Sequence, residues 1–166
     1  NMKPIQGVTD SAQWASLEIP GYCSYGNDAV NTAVYGLLYN WAAVTDTDII
    51  APAGWHVPSD SEWVILEKHL GNAAGGAIKA TGTTYWNSPN TGATNSSGFS
   101  GLPGGDRSNT GMFHYLGQYG CWWSTTESSA DNAWEHVAKY NSSTMTRMEW
   151  SKGLGLSVRC VKDQQP

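Results

Sequence analysis

Apolar residues recur at helical spacing near the start of the chain. Tyr35, Leu38 and Trp41 stand three positions apart, and Ala42 completes the same stripe. Residues at this spacing lie on one face of a helix. The pattern predicts a helix from about Asn31 to Val44 whose apolar face packs on the core.

A second helix is predicted where a capping signal precedes another apolar stripe. Ser59 and Glu62 have the spacing of a capping box, in which each side chain accepts a hydrogen bond from the other residue's backbone amide. The buried face follows at helical spacing and consists of Trp63, Leu66 and Leu70. Gly71 is of the residue type that ends helices, so the helix is expected to stop there.

Between Asn72 and Thr110 the hydrophobic pattern has no helical period. The stretch is dense in Gly, Asn, Thr and Ser and contains two prolines. Loop regions of this length are uncommon in compact domains and are usually functional or internally packed. Trp86, Phe99 and Leu102 are spaced along it, and disordered tails lack such side chains. We therefore expect these three residues to hold the loop region against the domain.

The last third of the chain alternates with a period of two, which is typical of strands. One strand is predicted at GCWWSTTE, from Gly120 to Glu127. The next strand has Trp134, His136, Ala138 and Tyr140 on one face and Glu135, Val137 and Lys139 on the other. In the third, Met145, Arg147 and Glu149 oppose Thr144, Thr146, Met148 and Trp150, and a closing strand has its apolar side at Leu156, Val158 and Cys160. The short gaps between these segments predict an antiparallel meander.

Two early helices, a long loop region and a late sheet predict an α+β fold class. A length of 166 residues fits one domain, residues 1–166, in which residues 1–13 are expected to form an extended N-terminal segment. The net charge is −5 and no basic run occurs, so we expect no nucleic-acid partner. No apolar run approaches the roughly 20 residues of a membrane span, so we expect no membrane insertion by this domain.

The chain has three cysteines, an odd number, at Cys23, Cys121 and Cys160. One disulfide and one free thiol is the usual arrangement in an exported domain. We expect the disulfide between Cys23 and Cys160, because it would tie the first ordered segment to the last. Three free thiols in a reducing compartment is the alternative.

The polar residues show no convergent catalytic set, so we expect no enzyme, no cofactor and no metal site. His56 stands in a Trp-Pro turn, where a hydrogen-bonded structural histidine is the expected role. Glu62 and His69 are two helical turns apart, too far for the pairing found on zinc-binding helices. Cys121 is the one candidate nucleophile, and it would need a nearby base such as His114 or a lowered pKa.

Five sequence blocks resemble a bacterial family, the Fibrobacter succinogenes major paralogous domain. They are YGLLYNW (35–41), APAGWHVPSDSEW (51–63), GFSGLPGGDR (98–107), GCWWSTTE (120–127) and GLSVRC (155–160). The resemblance extends roughly from Trp14 to Asp163. This chain departs from the family pattern at Ala51, where many members have cysteine, and at Cys121, where tyrosine is usual. The first departure removes an alternative disulfide partner for Cys160.

The resemblance implies a C-type-lectin-like fold: two helices, a small antiparallel sheet and a long Gly/Asn/Thr-rich loop region. It also implies that the framework includes Trp41, Trp55, Trp63, Trp122, Trp123 and Trp134, and that Trp150 lies outside it. Related folds occur in formylglycine-generating enzymes and in the variable proteins of diversity-generating retroelements. The calcium-binding tripeptides Glu-Pro-Asn, Gln-Pro-Asp and Trp-Asn-Asp do not occur here, so calcium-dependent sugar binding is not expected.

The resemblance further implies that the framework of the last third consists of Trp134, Tyr140, Met145, Arg147 and the GLSVRC strand. The positions between these residues are then the candidate binding surface. The predicted ligand-binding residues are Asp131, Asn132, Glu135, Val137, Lys139, Thr144, Thr146, Met148, Glu149, Trp150 and Leu154. An aromatic anchor in a mixed polar surface is typical of a binding hot spot. A solvated sheet face with one exposed tryptophan is the alternative interpretation.

The functional hypothesis is a non-enzymatic ligand-binding or adhesion module on a bacterial cell surface or a phage particle. Its partner would be a protein receptor or a glycan on another cell surface, which makes the expected location extracellular or virion-associated. In its sharpest form the module is a retroelement-diversified receptor-binding protein. The alternatives are a calcium-independent carbohydrate-binding module and an enzyme related to the formylglycine-generating enzymes, which use two closely spaced cysteines that this chain lacks.

Overall fold

The computed structural model describes residues 5–46 and 50–163, which form a mixed α+β domain as predicted. The helices are α1 Ser11–Ala15, α2 Ala29–Tyr35, α3 Trp41–Val44, α4 Asp60–Leu70 and α5 Ala74–Ile78, with 3-10 turns at Tyr25–Asn27 and Gly71–Ala73. The strands are β1 Gln6–Gly7, β2 Gly21–Ser24, β3 Leu37–Tyr39, β4 Trp55–His56, β5 Asp106–Arg107, β6 Phe113–His114, β7 Tyr119–Glu127, β8 Asn132–Lys139, β9 Met145–Ser151 and β10 Val161–Lys162. Over the described ranges, no helix has the length and apolar character needed to cross a bilayer.

Helix α4 forms as the capping signal predicts. The Ser59 hydroxyl accepts a hydrogen bond from the Glu62 amide at 3.3 Å, and the Glu62 carboxylate accepts one from the Ser59 amide at 2.8 Å. Trp63 is buried, and the helix ends at Gly71 with a positive φ of 73°. The local sequence is therefore sufficient to define this element.

The predicted helix from Asn31 to Val44 is wrong, because two helices and a strand occupy that stretch. Helix α2 ends at Gly36, whose φ of 82° turns the chain into β3. Asn40 then begins α3, and its side chain accepts hydrogen bonds from the amides of Ala43 and Gly21. The apolar spacing is compatible with one helix, but a glycine turn and an asparagine cap divide it.

The described part of the predicted extended N-terminal segment, residues 5–13, contains strand β1 and the start of helix α1. Strand β1 pairs parallel with β2, which pairs antiparallel with β3. Asp10 then caps α1 by accepting a hydrogen bond from the Gln13 amide at 2.8 Å. The first described residues are thus part of a three-stranded sheet.

The loop region contains one helix, α5, that the sequence analysis missed. Its glycines, Gly75 and Gly76, lie directly against the backbone of Thr144 and Gly92, so a Cβ at either position would clash. These glycines weaken the helical signal in the sequence. Residues 79–105 are irregular and packed down as predicted, with Trp86 buried and Phe99 in contact with the same core cluster, and strand β5 follows.

The C-terminal meander is confirmed, with the strand order β7-β8-β9 and antiparallel pairing throughout. Glu135 pairs with Met148 and Val137 with Thr146, so these four residues share one face. The predicted closing strand is wrong in extent. Residues 155–157 form only isolated bridges, and regular pairing resumes where β10 joins β4.

Tryptophan indoles connect distant segments of the core. Five indole N–H groups donate to backbone carbonyls: Trp14 to Gly153, Trp41 to Ser124, Trp63 to Trp123, Trp86 to Gly101 and Trp123 to Tyr39. The framework prediction fails for Trp55, which is 43% exposed, about as exposed as Trp150 at 45%. Trp55 is exposed because β4 belongs to a two-stranded ladder outside the core clusters.

The expected disulfide between Cys23 and Cys160 is not formed, and all three cysteines are free thiols. Cys23 is buried with Trp14 and Leu38 in one core cluster, whereas Cys160 packs at the edge of a different cluster. The two thiols therefore belong to separate parts of the core.

Candidate ligand-binding site

One face of the meander borders a cavity of about 380 Å³, which we call the meander pocket. It lies between β7–β9 and the segment from β5 to the start of β7. The pocket is lined by Asp106, Ser108, Asn109, His114, Tyr115, Tyr119, Cys121, Glu135, Val137, Lys139, Met148, Trp150 and Leu154. Helix α4 covers the opposite face of the sheet, whereas α3 packs beside the pocket, with Val44 in the same core cluster as Cys121 and Val137.

Six of the eleven predicted ligand-binding residues come together in the meander pocket. They are Glu135, Val137, Lys139, Met148, Trp150 and Leu154. Alternation in β8 and β9 accounts for the first five, because cross-strand partners point to the same side of a sheet. Leu154 reaches the pocket from the turn after β9, where it is buried.

The other five predicted residues do not line the pocket. Glu149 pairs with Trp134 and Asn132 with Ser151, which places both on the face toward α4. Thr146 shares the pocket face but lies beyond the cavity, and Thr144 is in the turn before β9. Asp131 is exposed in the turn before β8.

The sequence analysis missed the wall of the pocket formed by residues 106–119 and did not assign Cys121 to a binding surface. Tyr119 pairs with Lys139 and Cys121 with Val137, so alternation in β7 could have identified both. Asp106 belongs to the LPGGDR block, but no local pattern indicates that this segment folds over the sheet.

The floor of the pocket holds a buried carboxyl group, that of Glu135. This residue is only 3% exposed, and among the residues that the structure describes no hydrogen-bond or ion-pair partner is found for its carboxyl group. The pKa of Glu135 is raised to about 8, mainly by burial and also by the nearby Asp106, and Lys139 opposes the shift. An acidic group without a partner in such a place is a marker of a functional site.

Asp106 is the second carboxyl group of the pocket. Its pKa is raised by burial, and His114 counteracts the shift from a distance of 3.5 Å between Nδ1 and Oδ1. Gly105 precedes it with a φ of 64° and lies against the backbone of His114, so any side chain there would clash. The glycine turn therefore fixes where Asp106 enters the pocket.

Aromatic rings form the rim. Tyr115 stacks on Tyr119 with the ring centroids 4.4 Å apart and the planes 16° apart. The Lys139 ammonium lies 5.3 Å from the centroid of Tyr119. Tyr115 and Trp150 are both exposed, which gives the rim two open aromatic surfaces.

Cys121 lies in the pocket lining but does not have the properties of a nucleophile. The thiol is fully buried, and burial raises its pKa well above the ordinary value, with the charges of Glu135 and Asp106 adding to the shift. A reactive cysteine is a thiolate with a lowered pKa. The environment of Cys121 therefore disfavours the thiolate form.

Two histidines outside the pocket, His56 and His136, form structural hydrogen bonds. His56 lies between Glu62 and Asp163, at 2.8 and 2.6 Å, consistent with its expected structural role. His136 is buried between Asp60 and Glu67 of α4. In the ranges 5–46 and 50–163, no group of three or more His, Cys, Asp or Glu side chains is arranged to hold a metal ion.

The domain is thus α+β, and its pocket lies on the face of the three-stranded meander opposite α4. The chain belongs to the Fibrobacter succinogenes major domain family, which matches residues 1–162. No curated protein and no solved structure matches the chain.

Proposed function

We propose that this domain is a non-enzymatic ligand-binding module and that the meander pocket is its binding site. The observation that carries the proposal is the convergence of Glu135, Lys139 and Trp150 with residues of the 106–119 segment on one cavity. Ligand sites are typically concave, mostly apolar and equipped with a few convergent polar groups. Buried carboxyl groups beneath an exposed aromatic rim fit that description.

The proposed setting is a bacterial cell surface or a phage particle, with a protein receptor or a glycan on another cell as the partner. The family resemblance, which implies a C-type-lectin-like fold, supports this setting, as do the predicted binding positions on the C-terminal sheet. A retroelement-diversified protein would be accompanied in the genome by a reverse transcriptase and a near-duplicate of the segment encoding Trp122–Cys160. Absence of both would leave a binding module that is not diversified.

Two tryptophans of equal exposure allow a matched test of the binding site. The domain, multimerised on a streptavidin scaffold, would be applied to arrays of bacterial surface proteins and glycans. Trp150→Ala is expected to reduce binding to any ligand by at least tenfold, because aromatic anchors dominate such interfaces. Trp55→Ala removes an equally exposed ring outside the pocket and should leave binding unchanged. Equal binding by both variants would contradict the proposed site.

A calcium-independent carbohydrate-binding module is the second candidate function. It is favoured by the exposed faces of Tyr115 and Trp150, since such rings are suitable platforms for stacking a sugar. A glycan array in the presence of a chelator, repeated with Trp150→Ala, distinguishes the candidates. A glycan signal that depends on Trp150 selects this function, and its absence alongside a protein ligand selects the first.

A further inference from the structure

We propose that the meander pocket takes a positively charged amine or guanidinium group carried on an apolar stem, as in a lysine or arginine side chain of a partner protein. This inference rests on the proposed function and specifies the chemistry of the ligand. Three features carry it: an unpartnered buried carboxyl group, a second carboxyl group that faces the same cavity, and walls suited to an apolar stem.

The Glu135 carboxyl group has no partner in the described structure. It lines the cavity while nine-tenths or more of the residue is buried, and no described side chain donates a hydrogen bond to it. Buried carboxyl groups in proteins are normally hydrogen-bonded or paired with a cation. An entering ammonium or guanidinium group would supply the missing partner with a charge-assisted hydrogen bond.

Acidic and basic groups both line the pocket. Two carboxyl groups, those of Glu135 and Asp106, face it from β8 and β5. The described groups that oppose them are Lys139, whose ammonium lies over the ring of Tyr119, and the half-exposed His114. The remaining titratable groups are the thiol of Cys121 and the hydroxyls of Tyr115 and Tyr119, and none of these is a cation. A bound cation would favour the ionised form of Glu135.

The walls of the pocket are suited to an apolar stem in size and composition. Val137, Met148 and Leu154 provide apolar surface beside the floor, and a volume of about 380 Å³ is sufficient for one long side chain. Trp150 and Tyr115 stand at the rim, where the faces of aromatic rings attract cations. A neutral sugar could stack on the same rings but would bring no positive charge to the Glu135 carboxyl group.

The test is an NMR titration of the ¹⁵N-labelled domain with capped amino acids. Nα-acetyl-lysine N-methylamide and its arginine analogue are the cationic probes, and the norleucine derivative is the neutral control of nearly equal shape. The cationic probes are expected to shift the Trp150 indole N–H signal and to bind at least fivefold more tightly than the neutral probe. Their affinity should rise from pH 6.5 to pH 9, as Glu135 loses its proton.

Two glutamates on opposite faces of the meander provide matched variants. Glu135→Gln should weaken the cationic probes at least tenfold, whereas Glu149→Gln removes the same charge from the other face and should have no effect. Equal binding of the neutral and cationic probes, or unchanged affinity in Glu135→Gln, would overturn the inference. The Trp150→Ala and Trp55→Ala comparison with intact ligands is independent of charge, so the proposed function could still stand.

A further arm identifies the source of the cation. Agmatine represents a small free cation with the guanidinium group of arginine. An arginine-containing peptide represents the same group on a protein side chain. Tighter binding of the peptide supports a protein partner. Tighter binding of agmatine keeps the cation but overturns the assignment to a protein partner.

Discussion

At the scale of single residues, two fully buried cations hold the backbone around the pocket. Arg107 donates hydrogen bonds to the carbonyls of Val8, Thr9 and Gly111, and its guanidinium lies over the ring of Trp14. Lys79 donates to three carbonyls of the loop region and the β8–β9 turn. Because Arg107 follows Asp106 directly, anchoring the arginine also fixes the second carboxyl group of the pocket.

Lys79 provides a test of this anchoring. Its ammonium lies 2.9 Å from each of three carbonyl oxygens, those of Thr91, Lys139 and Ser142. Burial lowers its pKa to about 8, which shows that desolvation opposes the charge. Lys79→Met removes that cost but leaves three buried carbonyls without a donor, so we expect a net loss of roughly 2 kcal/mol in the free energy of unfolding.

The measurement is urea denaturation at pH 7 followed by tryptophan fluorescence. Lys68→Met is the control, because Lys68 is exposed on α4 and should give a change below about 0.5 kcal/mol. A Lys79→Met variant as stable as the unmodified domain would show that desolvation cancels the three hydrogen bonds.

At the scale of elements, α4 packs on the face of the meander opposite the pocket. Asp60 of this helix forms a bidentate ion pair with Arg147 at 2.6 and 2.8 Å, and Trp63 stacks on His136. These contacts occupy the face that carries Trp134, over which the Arg147 guanidinium lies at 3.3 Å. The face that carries Trp134 therefore packs on α4, and the pocket lies on the opposite face, which carries Glu135.

The cap of α4 makes a pH-dependent contribution to stability through His56. Hydrogen bonds to Asp163 and Glu62 raise the pKa of His56 above its ordinary value of 6.5. A raised folded-state pKa means that the stabilisation is complete below the unfolded pKa and is lost as the pH rises through the folded value. His56→Gln should therefore lower the Tm more at pH 5.5 than at pH 8.5.

Thermal denaturation at the two pH values checks this expectation. His69→Gln, an exposed histidine on the same helix, is the control and should show no difference between them. An effect of His56→Gln that is equal at both pH values would mean that the imidazole acts only through neutral hydrogen bonds.

At the scale of the whole molecule, the elements predicted correctly are those defined by local signals. The capping box and apolar stripe of α4 lie within a dozen residues, and alternation in β8 and β9 assigned the correct faces. The first predicted helix failed because Gly36 and Asn40 interrupt a stripe that remains periodic. The wall of the pocket at residues 106–119 could not be predicted, because it is held by distant partners such as Val8, whose carbonyl accepts a hydrogen bond from Arg107.

Ionisation of Glu135 is expected to favour cation binding and to lower the stability of the fold. Its folded-state pKa of about 8 lies above the ordinary value of 4.5, so the folded form holds a proton that the unfolded form has lost. Stability should therefore fall as the pH rises from about 4.5 through 8, by roughly 3–5 kcal/mol in total. Glu135→Gln resembles the protonated group and should escape this loss.

Chemical denaturation at pH 5 and pH 9 measures the effect. Glu135→Gln should match the unmodified domain at pH 5 and exceed it by several kcal/mol at pH 9, while Glu149→Gln follows the unmodified domain at both values. A gain in stability combined with a loss of cation binding would identify Glu135 as a residue retained for its ligand, because buried charges without partners destabilise a fold. A Glu135→Gln variant that is less stable at pH 9 would instead assign the carboxylate a structural role.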